Sequence, residues 1–131
     1  MRRLHLIATI FLFVSTPVCA SPITLVCTGE LTFPGQNPAV IAGETALLDF
    51  ENGTFKPPMY NPYPLLKVRD TEITFGSEAP TTSVWGVLDR VSGTLSMTVM
   101  KPAERQRIMA GGSAHVLAAM TAKCATAKRM F

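Results

Sequence analysis

Reactive and charged side chains are scarce in this sequence, and each scarcity removes a class of function. Two His, three Cys and nine Asp or Glu are spread over 131 residues, and charged residues make up 16%, against roughly 25% in an ordinary soluble domain. Downstream of residue 20 only two Cys and one His, His115, remain, too few for a structural zinc set. A Ser or Cys nucleophile needs a base within hydrogen-bond reach. His115 is the one imidazole on offer, and it follows Gly111-Gly112-Ser113 in what reads as the end of a loop. Glu30, Asp70, Glu72 and Asp89 have no spacing that fixes a glycosidase carboxylate pair. The methionines read as core filling rather than as soft copper ligands. The chain is therefore read as no enzyme, with no cofactor and no metal.

Long hydrophobic runs are also missing. The longest, Leu4–Val14, follows Arg2 and Arg3 and precedes Val18-Cys19-Ala20. That order is a secretory signal of bacterial type, and the run falls short of the ~20 residues that span a bilayer. Cleavage after Ala20 is expected, leaving residues 21–131 as one β domain, periplasmic or secreted, without a stable membrane anchor. Taking Arg2 and Arg3 from the twelve Lys+Arg leaves ten against nine Asp+Glu, a net +1. So balanced a domain lacks the basic face that displaces counterions from phosphates, and nucleic acid is excluded as a partner.

Cleavage also removes Cys19, which leaves Cys27 and Cys124 as the single possible disulfide in an oxidising compartment. The alternative is two buried free thiols.

Alternation dominates the rest. Ile23, Leu25, Cys27, Leu31 and Phe33 are apolar, with Thr24, Thr28, Glu30 and Thr32 between them. A period of two marks a half-buried antiparallel strand with Cys27 on the core face. A repeat, L-D-x-x-[NS]-G-T-[FL], recurs at Leu48–Phe55 and Leu88–Leu95. Both copies read as hairpins in which Gly takes positive φ and Asp accepts backbone N–H groups. A four-residue loop faces Leu48 with Phe55; a two-residue Asn52-Gly53 turn would instead pair Glu51 with Thr54. Leu95, Met97 and Val99 form a further inward face. Val84, Gly86 and Leu88 pair with it, which turns Trp85 outward, either exposed or covered by a loop or second layer.

Leu66 and Val68 keep one phase and Ile73 and Phe75 the other, so the chain turns or bulges near Arg69-Asp70-Thr71. Val116–Cys124 alternates as a strand despite its helix-prone alanines. Lys101–Gly112 is left open between a helical turn begun by Pro102 and a mobile loop. Roughly seven or eight short strands without βαβ spacing make an all-β fold, a small antiparallel barrel or sandwich whose first and last strands are joined by the disulfide.

Leu25-Val26-Cys27-Thr28-Gly29, the Leu88–Leu95 hairpin and Lys123-Cys124-Ala125 with Met130-Phe131 resemble small exported proteins of unknown function from alphaproteobacteria of the rhizobial type. That resemblance implies a fold and a compartment and brings no activity. In size, export and strand count the chain is also similar to periplasmic inhibitors of c-type lysozyme. Their Ser-Gly inhibitory loop has no match here, so no residue is carried over.

The positive candidate is Lys56-Pro57-Pro58-Met59-Tyr60-Asn61-Pro62-Tyr63-Pro64, with both tyrosines and four of the ten prolines. Proline stiffness and tyrosine contact area suit recognition, of an envelope protein or a glycan. The competing reading is a stiff cover over one end of the fold. Tyr60, Tyr63 and Trp85 are thus the candidate binding residues of a non-catalytic binding or inhibitor module. The alternatives are a structural or stress-related exported barrel without a ligand and, third, a small hydrolase. Exported protein is expected to have an intact mass starting at Ser21; a leader retained in the membrane fraction would refute this reading.

Overall fold

The computed structural model describes residues 20–128; the stretch up to Cys19, where the signal peptide is expected, and Arg129, Met130 and Phe131 lie outside the described residues. Eight strands follow in chain order: β1 Ile23–Thr32, β2 Ala39–Asp49, β3 Thr54–Lys56, β4 Tyr63–Val68, β5 Glu72–Glu78, β6 Ser83–Asp89, β7 Thr94–Met100 and β8 Val116–Thr126. One helix, α1 Pro102–Met109, joins β7 to β8. Every strand pairs antiparallel with its sequence neighbour, and β8 returns to β1, so the sheet is a closed meander barrel. The choice between barrel and sandwich is settled by that last pairing, which runs from Leu25↔Thr126 to Thr32↔Ala119.

Period-two alternation puts one residue in two inside. Leu25, Cys27 and Leu31 of β1, Ile41, Ala46 and Leu48 of β2, and Met120 and Ala122 of β8 are buried. With eight strands the interior is just wide enough for side chains to fill it. Its centre is aromatic, with Phe55 and Phe75 at 4.6 Å between centroids and 54° between planes. Phe75 sits opposite Gly86, where any Cβ would collide with the Phe75 ring. Glycine there lets the ring lie against the backbone of β6.

Both repeats form four-residue loops. Asp49 pairs with Thr54 and Leu48 with Phe55, which excludes the two-residue alternative, and Leu88 pairs with Leu95. Gly53 and Gly93 have φ of 62° and 72°, a region that costs other residues strain. The turn between β4 and β5 falls at Arg69–Thr71, with Arg69 N–H on Glu72 C=O at 2.8 Å. Leu66 and Val68 face outward, while Ile73 and Phe75 are buried.

The final segment is a strand, and the Lys101–Gly112 alternatives resolve to a two-turn helix. Pro102 occupies its first turn, and Gly111, at φ 85°, ends it.

Cys27 and Cys124 are direct cross-strand partners and are disulfide-bonded, 97 residues apart. A loop of that length removes enough unfolded-state entropy to contribute about 4–5 kcal/mol. Reduction, or Cys27→Ser with Cys124→Ser, should therefore lower the melting temperature by roughly 15 °C. An unchanged melting curve would show that the β1–β8 seam holds without the bond.

Candidate functional site

The three candidate aromatics occupy opposite sides of the wall. Tyr60 and Tyr63 are partly buried and pack against the core, and Tyr63 stacks on Phe75 at 6.4 Å between centroids. Tyr63 and Pro64 also belong to β4. The tyrosine segment therefore runs into the sheet, because β4 begins inside it. Pro57 and Pro58 are fully buried. Met59, at φ 62°, reverses the chain between them and the tyrosines. Burial pushes the Tyr60 phenol above its ordinary 10.0, and Tyr63 is raised by burial first and by Tyr60 second. Such placement favours the cover reading of this segment.

Trp85 points the other way. Val84 and Gly86 on either side of it are buried, while the indole is 39% exposed on the outer surface of β6. It is neither free nor hidden, because α1 leans over it. The Arg105 guanidinium lies 5.0 Å from the ring centroid, donates to Ser83 Oγ at 3.2 Å and comes within 3.8 Å of Glu78. The helix has no buried residue, and its other link is Glu104, whose Oε2 accepts the His115 N–H at 3.0 Å and so ties α1 to the connection that follows it, not to the sheet. Cation–π attraction to tryptophan contributes about 0.5–1 kcal/mol at exposed sites, and eight residues alone are too few to hold a helix. Arg105 is accordingly the tether of α1 to the sheet.

Between helix and sheet lies a groove of about 480 Å³, lined by Trp85, Thr98, Met100, Ile108, Met109 and Val116 besides Arg105. Met109 is 79% exposed at its rim. Apolar walls, one indole and one guanidinium can take an apolar side chain with a polar group beside it. The sequence pointed to Trp85 but not to its partners. Pro102 and Gly111-Gly112 marked the helix ends, and nothing local placed Arg105 over a tryptophan twenty positions earlier. Met97 and Met100, though three residues apart, diverge: Met97 belongs to the core cluster and Met100 lines the groove.

A second hollow of about 420 Å³ opens at the far end, where Leu25, Leu48, Ile73 and Leu88 form an apolar floor beside the Asp89–Gly93 loop and Cys124. The loop is rigid. Asp89 Oδ1 accepts the Val91 and Ser92 N–H groups, each at 2.8 Å, and the Lys123 ammonium donates to Ser92 C=O at 3.1 Å and Thr94 Oγ1 at 2.8 Å. The Ser92 N–H first, then that of Val91, hold the Asp89 carboxyl below its ordinary 3.8. At Asp49 the Asn52 side chain and then its N–H do the same. Both aspartates are bound up in turn structure.

Both cysteines among the described residues are in the disulfide, consistent with an oxidising, extracytoplasmic compartment. Among the described residues no three His, Cys, Asp or Glu converge as metal ligands. Comparison with known proteins gives no match to a family model, a curated protein or a solved structure.

Because Tyr60 and Tyr63 pack on the core, Tyr60→Ala with Tyr63→Ala should cost roughly 3 kcal/mol, read as a lowered melting temperature. A shift within about 2 °C would overturn the cover reading.

Proposed function

We propose that this protein is a non-catalytic binding or inhibitor module of the bacterial cell envelope, periplasmic or secreted, which takes an apolar side chain of an envelope protein against Trp85. The observation that carries this reading is the groove itself: an indole held half-exposed by Arg105 on the floor of an apolar cleft. Soluble proteins seldom leave tryptophan and methionine together at the surface without use. A glycan suits the cleft less well, since sugar hydroxyls need several polar partners and the lining offers only Thr98 and Arg105.

Absence of catalysis is inferred from chemistry already in use. Cys27 and Cys124 are bonded to each other. His115 is exposed at the end of the α1–β8 connection, and among the described residues its ring has no hydrogen-bonded hydroxyl to activate. The leader sequence, the disulfide and the resemblance to exported alphaproteobacterial proteins support the compartment.

Trp85 is the only tryptophan, so its fluorescence reports on the groove directly. Captured partners from an envelope extract should be lost with Trp85→Ala and kept with Tyr60→Ala/Tyr63→Ala, and the purified partner should shift the Trp85 emission. The melting temperature of Trp85→Ala should fall by only a few degrees, because about 1 kcal/mol of cation–π contact is removed. Identical capture by wild type and Trp85→Ala would leave the alternative standing, an exported structural barrel without a ligand.

A further inference from the structure

β2 is paired along its whole length on one side and along only a short part on the other. β1 matches it from Ala39 to Leu48, whereas β3 meets only Leu47, Leu48 and Asp49. Above that point the chain after Lys56 enters Pro57-Pro58. These residues have no N–H for a ladder, and both are buried instead of lying along β2. The backbone bond recorded in that connection, Tyr60 N–H to Pro57 C=O at 3.4 Å, stays within it.

Strand alternation identifies the groups left over. Cys124 donates its N–H to Gly93 at 2.8 Å, away from β1, so its cross-strand partner Cys27 turns toward β2. Gly29 and Leu31, in the same phase, turn toward Ile41 and Ala39. Successive residues of a strand point their N–H and C=O to opposite sides, so Val40 and Ala42 present theirs to the gap. The register shift at Cys27/Thr28 leaves Gly43, at φ 73°, as the extra residue of a bulge. Beyond it Thr45 faces the gap again. Ala42, Gly43, Glu44 and Thr45 are exposed in succession, which a closed wall would not allow, and Val40 is 76% exposed.

A row of unpaired N–H and C=O groups is satisfied by one kind of occupant, a polypeptide in extended conformation. Two features oppose a second copy of this chain: the bulge twists the edge, and each copy would bring its own Glu44. Glu44 has no ion-pair partner among the described residues. We propose that the Val40–Thr45 edge of β2 is a strand-addition site for an extended segment of a partner protein that carries Lys or Arg opposite Glu44. In the eight-strand ring β2 lies four strands from β6 in either direction, so this site is independent of the Trp85 groove.

Amide hydrogen exchange of the oxidised protein tests the proposal, with acetyl-Thr-Val-Lys-Val-Thr-Val-amide as the probe. In the free protein Val40, Ala42 and Thr45 amides should exchange rapidly while Ile41 is protected by β1. Saturating peptide should slow the first three by about tenfold or more. N-methylation of the peptide's alternate amides on the pairing edge should abolish the effect. A Lys→Glu peptide should bind several-fold more weakly, and Glu44→Lys, a change at an exposed side chain, should invert that preference. Slow exchange of Val40 and Ala42 in the free protein would overturn the proposal. So would no protection by the lysine peptide, equal protection by the N-methylated one, or concentration-dependent protection with a doubled mass, which would make the occupant a second copy.

Discussion

Closure of the sheet between its first and last strands is the constraint on which the rest of the structure depends. An eight-residue ladder joins β1 to β8, and the disulfide sits within it at Cys27↔Cys124. Without that ladder the meander would have two long edges, a liability for any β protein. With it, every inward side chain faces seven other strands, and a chain of this size gains a single shared core. The residues between the two cysteines are nearly the whole domain, so the bond restrains the unfolded chain as strongly as one cross-link can.

A filled barrel has consequences for where function can reside. Phe55, Phe75, Ile41, Met97 and Met120 occupy the interior, and the tyrosine segment packs down on them from one end. The binding role proposed above therefore falls to the outer wall and the barrel mouths. The outer wall carries the Trp85 groove because the β7–β8 connection is long enough to hold α1. That helix contributes exposed Ile108 and Met109 while being held through Arg105. A helix without a buried residue would be redundant as a scaffold; over an indole it makes one wall of a cleft.

The barrel is also uneven, and the cause is local chemistry. Pro57-Pro58 stop β3 after three residues, so β2 outruns its neighbour. The Gly43 bulge and Glu44 then fall on the unpaired stretch, where twist and charge discourage edge-to-edge self-association. A gap in an otherwise closed wall persists because the prolines that create it are buried and have no N–H to donate to it.

Much of this was legible in the residues. Period two placed Leu25, Cys27, Leu31, Val84, Leu88 and Met97 inside, since successive side chains of a strand take opposite faces whatever the fold; for Ile73 and Phe75 it gave a phase opposite to Leu66 and Val68 without saying which phase faced the core. The repeated L-D-x-x-[NS]-G-T-[FL] gave both hairpins, because Asp side chains and positive-φ Gly act within a few residues of each other. Parity left Cys27 and Cys124 a single pairing. Other features were not legible, for one shared reason. Barrel rather than sandwich, Tyr63 on Phe75, Arg105 over Trp85 and the open edge of β2 each depend on which distant segments become neighbours. Those neighbours are chosen by closure of the whole sheet, a cooperative outcome that no local pattern encodes.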